Sequence, residues 1–273
     1  MTRILFVGDI MGSPGRGAAR AHVERIVDRE RVDFVIANVE NAAGGFGVTA
    51  AVLAELDDLP VDVWTSGNHI WDKKEGVPLL DAHPSLLRPA NYPDGNPGRG
   101  WCVERTASDL SVAVVNLQGQ ALMAPIDNPF RVADRVLADI AREHPDVRLI
   151  VVDMHAEATS EKQAMGWHLD GRVTAVLGTH THVPTADERL LPGGTAFQTD
   201  VGMTGAYESV IGMRPDTVLE RFLLNTPRPF HPAKKGVELR GALIDADPNT
   251  GRATAIRRVR EVATTGTAPD AAR

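Results

Sequence analysis

Cysteine is nearly absent: Cys102 is the only one in 273 residues. That excludes an intrachain disulfide and a thiolate metal cluster, and it fits a reducing cytoplasmic setting. No apolar run approaches the length of a membrane span, so no membrane partner is expected. The apolar run in "MTRILFVGDIMG" is too short for a secretory signal and reads as a first strand. Basic charge is in deficit, with 29 Lys and Arg against 36 Asp and Glu. No basic stripe exists to displace counterions, so a long nucleic acid is not an expected partner. A small anionic substrate stays open, because a bound metal reverses the local field. The glycine-rich "GDIMGSPGRG" lacks the Gly-Lys-Ser/Thr of a phosphate-binding P-loop. Its glycines read as permitting a tight turn and close backbone approach. Neither an internal repeat nor a clear linker is present. One domain is expected over residues 1–262, with a disordered tail over 263–273.

What is present is an alternation of short β-branched runs with longer helical patterns. Strands are expected at residues 3–8, 33–39 and 61–67, and helices at 15–32 and 49–59. "WCVERTA" and "LSVAVVNLQG" read as a hairpin pair, and residues 128–144 as an amphipathic helix with Pro129 near its start. Further strands are expected at 147–154 and 173–178, with the helix-like "SEKQAMGWHL" between them. "TAFQTDVG", "ELRGALIDAD" and "ATAIRRVREV" read as antiparallel strands. The fold class is α/β, with helices covering sheet faces.

Five of these apolar runs end in a polar side chain that can donate a lone pair. Asp9 follows the first, Glu40 and Asn41 the second, Asn68 and His69 the third, His155 another, and His180 and His182 the last. Ligand crevices of α/β sheets lie at the carboxyl ends of strands, where such residues can converge. Taken singly, each has a structural reading. Asp9 caps a helix, Asn41 and Asn68 serve turns, and His155 is a satisfied core histidine. Taken together they share one chemistry. Carboxylate, carboxamide and imidazole without thiolate suit Mn, Fe or Zn. Eight groups exceed one tetrahedral site and match two adjacent ions, which can stabilise in-line displacement at phosphorus. His22, His83, His144 and His231 read as surface residues and His168 as packing. Asp153 and Asp200 read as candidate partners for ligating histidines, and "MAPIDNPF" as a loop leading into a helix or lining a substrate pocket.

The ordered set "GDIM", "NVENAAGG", "SGNHIWD", "MHAEATSEK" and "GTHTH" resembles the calcineurin-like metallophosphoesterase superfamily, and within it the bacterial YmdB-type subfamily. The usual superfamily pattern is altered at three places. Met11 stands where the second metal ligand of D-x-H is usual, Glu40 replaces the bridging Asp, and Ile70 follows the GNH. The resemblance covers nearly the whole chain and implies a four-layer α-β-β-α sandwich of two mixed sheets flanked by helices. It also implies a dinuclear site, with Asp9, Asn41 and His182 on one ion, Asn68, His155 and His180 on the other, and Glu40 bridging. The ions would be divalent or mixed-valence, Fe or Mn first and Zn next.

The implied activity is hydrolysis of small phosphodiesters such as 2′,3′-cyclic AMP by a hydroxide bridging the ions, with His69 the candidate to protonate the leaving oxygen or to stabilise its developing charge. Two rivals stay open. A phosphomonoesterase or protein phosphatase would need charged groups on a dianionic phosphate, for which Arg16 and Arg20 are the nearest candidates. A metal-loaded nucleotide-binding regulator would bind without turnover. The oligomeric state, homo-oligomer included, is left open.

Overall fold

A computed structural model describes residues 1–262; the tail expected to be disordered lies outside the described residues. The layering follows from the two-residue period of the first strand. In β1 (Thr2–Val7) the side chains of Ile4 and Phe6 face one way and those of Leu5 and Val7 the other, and all four are buried. A parallel strand covered on both faces has this pattern. Ile4 and Phe6 pack with Phe34 and Ile36 of β2 (Phe34–Asn38), Val63 of β3 (Val63–Thr65), and Val112, Val114, Leu149 and Val151 of a second sheet. Leu5 and Val7 pack instead under α1 (Gly12–Glu30) and α2 (Ala50–Leu56), against Ala18, Val23, Ile26, Leu53 and Leu56.

After the short helix α3 (Leu79–Ala82), the second sheet begins with β4 (Trp101–Arg105) and β5 (Ser111–Gln118). Helix α4 (Pro129–Glu143) leads to β6 (Leu149–His155), and α5 (Thr159–Leu169) leads to β7 (Ala175–Thr179). Strands β8 (Arg189–Leu190) and β9 (Ala196–Gln198) complete it, in the order β4-β5-β6-β7-β9-β8. Strands β5, β6, β7 and β9 are parallel, while β4 and β8 run antiparallel at the two edges. Asn128 starts α4 by accepting bonds from the N–H groups of Phe130 and Arg131, so "MAPIDNPF" is the entry to a helix. Helices α4 and α5 cover the outer face through Val132, Val136, Ile140, Met165 and Leu169.

The chain then returns to the first sheet through β10 (Gly205–Ala206), α6 (Pro215–Leu224), β11 (Val237–Ala246) and β12 (Ala253–Val262). Strands β1, β2 and β3 are parallel; β11 joins antiparallel to β1, and β12 lies antiparallel beyond it. The result is the four-layer α-β-β-α sandwich of two mixed sheets. One expectation is corrected: β9, in "TAFQTDVG", runs parallel to β7 and antiparallel only to the edge strand β8. The 180–195 excursion is long enough to bring the chain back in the same direction as β7. Among the described residues no helix is long and apolar enough to cross a membrane.

Phe6 sits between the two sheets with no exposure. Phe6→Ala is expected to lower unfolding free energy by about 3–5 kcal/mol in urea denaturation; a loss under about 1 kcal/mol would contradict a close-packed inter-sheet core.

Candidate metal centre

Parallel strands of both sheets deliver their carboxyl ends to one edge. Asp9 and Glu40 stand just beyond β1 and β2, Asn68 opens a 3₁₀ turn after β3, His155 closes β6, and His180 and His182 follow β7. Asp9, Glu40 and His155 are fully buried.

His155 shows what this packing requires. Asp153 accepts hydrogen bonds from Thr65 Oγ1 (2.5 Å), Thr179 Oγ1 (2.6 Å) and Asn38 Nδ2 (3.0 Å). Thr179 has a single hydroxyl hydrogen, and Asp153 takes it. The contact of His155 Nδ1 with Thr179 Oγ1, at 2.9 Å, is therefore donated by the imidazole. In the neutral ring Nε2 is then a bare lone pair. It faces Glu40 Oε1 at 3.0 Å, Asn68 Oδ1 at 3.1 Å and His180 Nδ1 at 3.0 Å. The other ring nitrogen of His180 points at Glu157 Oε2, 3.2 Å away, which places the proton there and leaves Nδ1 bare as well. Four lone pairs thus meet at a largely buried point, which is costly unless a proton or a cation sits among them.

The second half of the cluster has the same character. His182 Nδ1 donates to the Ile211 carbonyl at 2.9 Å, so its Nε2 is bare and faces the Asn41 amide at 3.0 Å. That amide also donates to Glu40 Oε1 at 3.1 Å. Turned over, it would place its oxygen at the same position, the orientation a cation needs. Asp9 Oδ2 accepts from the His180 N–H at 3.2 Å, while Oδ1 is buried without a partner, 3.9 Å from His155 Nδ1. Gly67 leaves the centre free: a Cβ there would lie 2.2 Å from His155 Nε2 and 2.5 Å from Glu40 Oε2.

Electrostatics follow the geometry. Burial opposes charging His155, yet Glu40, Asp9 and Asp153 outweigh it and push the imidazole up to about 9. Burial also disfavours the Glu40 carboxylate, but His155 and the bonds to it hold that group at about 2. Burial and the neighbouring His155 push His180 down to about 3. Without a cation the proton on His155 fills the gap. The donor set, the orphaned Asp9 oxygen and the Gly67 cradle together fit divalent cations. Glu40, His155 and His180 form its tightest group, with donor atoms within 4.8 Å of one another.

His69 belongs to the same place in a different way. Its backbone N–H donates to Glu40 Oε2 at 3.0 Å, and its ring lines the adjoining cavity with Nδ1 on Asp72 Oδ2 at 2.8 Å. All eight expected residues are therefore brought together. Asp153 reaches a histidine only through Thr179. Asp200 reaches none: it accepts from Thr181 N–H, Thr181 Oγ1 and the fully buried Lys162. This ion pair pins the loop in which His180 and His182 adopt left-handed φ of 97° and 65°, a conformation that costs energy in non-glycine residues. Lys162, Asp72 and Glu157 were not among the expected site residues. Asp72 lies three residues after His69 in a helical turn, a spacing that could have suggested the pair. His22 is corrected: it is buried on the inner face of α1 at 6% exposure, not at the surface.

The sequence model of the YmdB-like protein family matches residues 5–259. The chain belongs to that family. It is 47% identical to a 2′,3′-cyclic-nucleotide 2′-phosphodiesterase of Bacillus subtilis (strain 168), over 94% of this chain and 96% of the relative. The crystal structure of a phosphatase from Mycoplasma pneumoniae superposes with a TM-score of 0.89 at 33% identity, covering 96% of this chain and 93% of that one. The calcineurin-like phosphoesterase YfkN of Bacillus subtilis superposes with a TM-score of 0.55, covering 96% and 90% of the two chains; at 11% identity it shows the shared fold alone. The resemblance to the YmdB-type branch is thus borne out, and the fold is shared with a calcineurin-like phosphoesterase.

Cation binding must displace the proton that His155 carries below about 9. Affinity for Mn²⁺ is expected to rise about tenfold per pH unit from pH 7 and to level off above about 9, as read by titration followed by electron paramagnetic resonance. A pH-independent affinity would contradict the arrangement.

Proposed function

We propose that this protein is a metal-dependent phosphodiesterase that hydrolyses small cyclic nucleotides, 2′,3′-cyclic AMP among them, in the bacterial cytoplasm. The observation that carries the reading is the convergence of Glu40 Oε1, Asn68 Oδ1 and His180 Nδ1 on His155 Nε2, in a chain 47% identical to a 2′,3′-cyclic-nucleotide 2′-phosphodiesterase. Asp9, Asn41 and His182 would hold one ion, Asn68, His155 and His180 a second, and Glu40 both. Iron and manganese suit this set best, with zinc next. Bound there, two such ions supply an activated water nucleophile and stabilise charge developing at phosphorus.

The remaining chemistry falls to the chain. Asp72 holds His69 through Nδ1, leaving Nε2 as the nitrogen with which His69 protonates the leaving oxygen. The short turn from Asn68 to His69 sets the proton donor beside the ion-holding groups. Glu40 fixes its height by accepting the His69 N–H. The phosphomonoesterase alternative lacks support from the cavity. Among the described residues no arginine or lysine lines it. Arg16 is spent on Glu55 and the Ala42 carbonyl, and Arg20 is exposed.

The test is hydrolysis by Mn²⁺-reconstituted protein of 2′,3′-cyclic AMP, 3′,5′-cyclic AMP and a simple phosphomonoester. Diester turnover is expected and is lost in Glu40→Ala. His69→Ala is expected to lower turnover about 10²–10⁴-fold with Mn²⁺ content unchanged. Preferred monoester cleavage would move the assignment to a phosphatase. Equal loss of metal and activity in His69→Ala would remove its role as proton donor.

A further inference from the structure

The cavity above the donor cluster, about 460 Å³ in volume, divides by polarity. Its floor is the cluster itself. Its walls are apolar and come from two segments outside the sheets: the 41–48 loop, which carries Phe46, and the 203–236 excursion, which carries Ile211, Met213, Val218, Phe222 and Phe230. Phe46 stands between Gly45 and Gly47, at φ of 101° and 72°, and meets His69 edge-on with ring centroids 5.0 Å apart. Phe222 lies at the rim of the cavity on α6, 80% exposed, and Ile211 is 52% exposed. Large apolar side chains left open at the mouth of a polar site mark a surface that a ligand covers.

We infer that this wall is a nucleobase subsite that holds the base by stacking and apolar contact and does not read its identity. The inference rests on the phosphodiesterase function proposed above. If phosphate sits on the donor cluster and His69 protonates the leaving oxygen, the ribose bearing that oxygen lies on the His69 side. Its base then extends toward the aromatic ring that touches His69, which is Phe46. Most of the polar side chains lining the cavity are already committed. Thr181 Oγ1 donates to Asp200, His182 Nδ1 donates to the Ile211 carbonyl, and Glu157 takes His180 Nε2. Outside the cluster the side chains leave little to read a base edge, chiefly the second carboxylate oxygen of Glu157, whereas every base offers a face to stack.

The test compares kcat/KM of Mn²⁺-loaded protein for the 2′,3′-cyclic phosphates of adenosine, guanosine, cytidine and uridine with that for glycerol 1,2-cyclic phosphate, which carries the same ring without a base. The four nucleotides are expected to agree within about tenfold and to exceed the glycerol ester by about a hundredfold, mainly through KM. Phe222→Ala should raise KM for the nucleotides about tenfold and leave the glycerol ester unchanged, and Phe222→Trp should restore nucleotide binding. Equal kcat/KM for glycerol ester and nucleotides would overturn the subsite while the phosphodiesterase reading stands. Strong preference for one base would overturn its indifference to identity. A smaller species in gel filtration for Phe222→Ala than for wild type would assign this residue to contact between copies and overturn its role here. Turnover of none of the five would overturn the proposed function and the subsite with it.

Discussion

The imidazole of His155 donates its Nδ1–H to Thr179, and the site is arranged around the Nε2 that this orientation turns inward. The proton's direction is set below the site: Asp153, on the same strand, takes the only hydrogen Thr179 has. Thr179 pairs with His155 across neighbouring parallel strands, so strand register itself fixes the tautomer. Glu40, Asn68 and His180 then bring three further lone pairs to one point. A largely buried convergence of acceptors is unstable alone, and a cation resolves it with one charge placed where all of them point. Burial, a raised His155 pKa and a glycine at position 67 are consequences of that one constraint.

Much of this was legible in the sequence because it lies at strand ends. A β-branched run names its strand, and the first polar residue after it is carried to the sheet edge whatever the loop does. Asp9, Glu40, Asn68, His155 and His180 could therefore be collected from residues far apart in the chain. The α/β class with helix-covered sheets was legible for the same reason, through runs such as "RILFVG" and "VRLIVVDM", whereas the two-sheet sandwich was implied by the family resemblance. The supporting shell was not legible. Lys162 sits in a helical stretch where lysine ordinarily faces water, and only its contact with Asp200 explains its complete burial. Likewise His22 stands among charged residues on α1 yet turns inward. Periodicity gives a helix's faces but not which neighbour one side chain meets. The direction of β9 was missed because strand pattern carries no sign: parallel and antiparallel runs of three residues look alike.

Helix α6, within the 203–236 excursion, went unread. It exposes Leu219, Phe222, Leu223 and Leu224, so it lacks the polar outer face by which an amphipathic helix is recognised. That same lack makes it useful. The sheet edges supply rigid donors at fixed spacing, and a segment outside the sheets supplies an apolar wall facing them. On the proposed reading, chemistry and substrate recognition come from parts of the fold under different packing constraints.

The central claim is that the strand-end donors hold two divalent cations with Glu40 common to both. Anomalous scattering at the manganese edge, from crystals of the Mn²⁺-reconstituted protein, tests it most directly. Two peaks are expected, both within bonding distance of Glu40, one beside Asp9 and His182 and the other beside Asn68, His155 and His180. A single peak, or peaks away from these side chains, would contradict it.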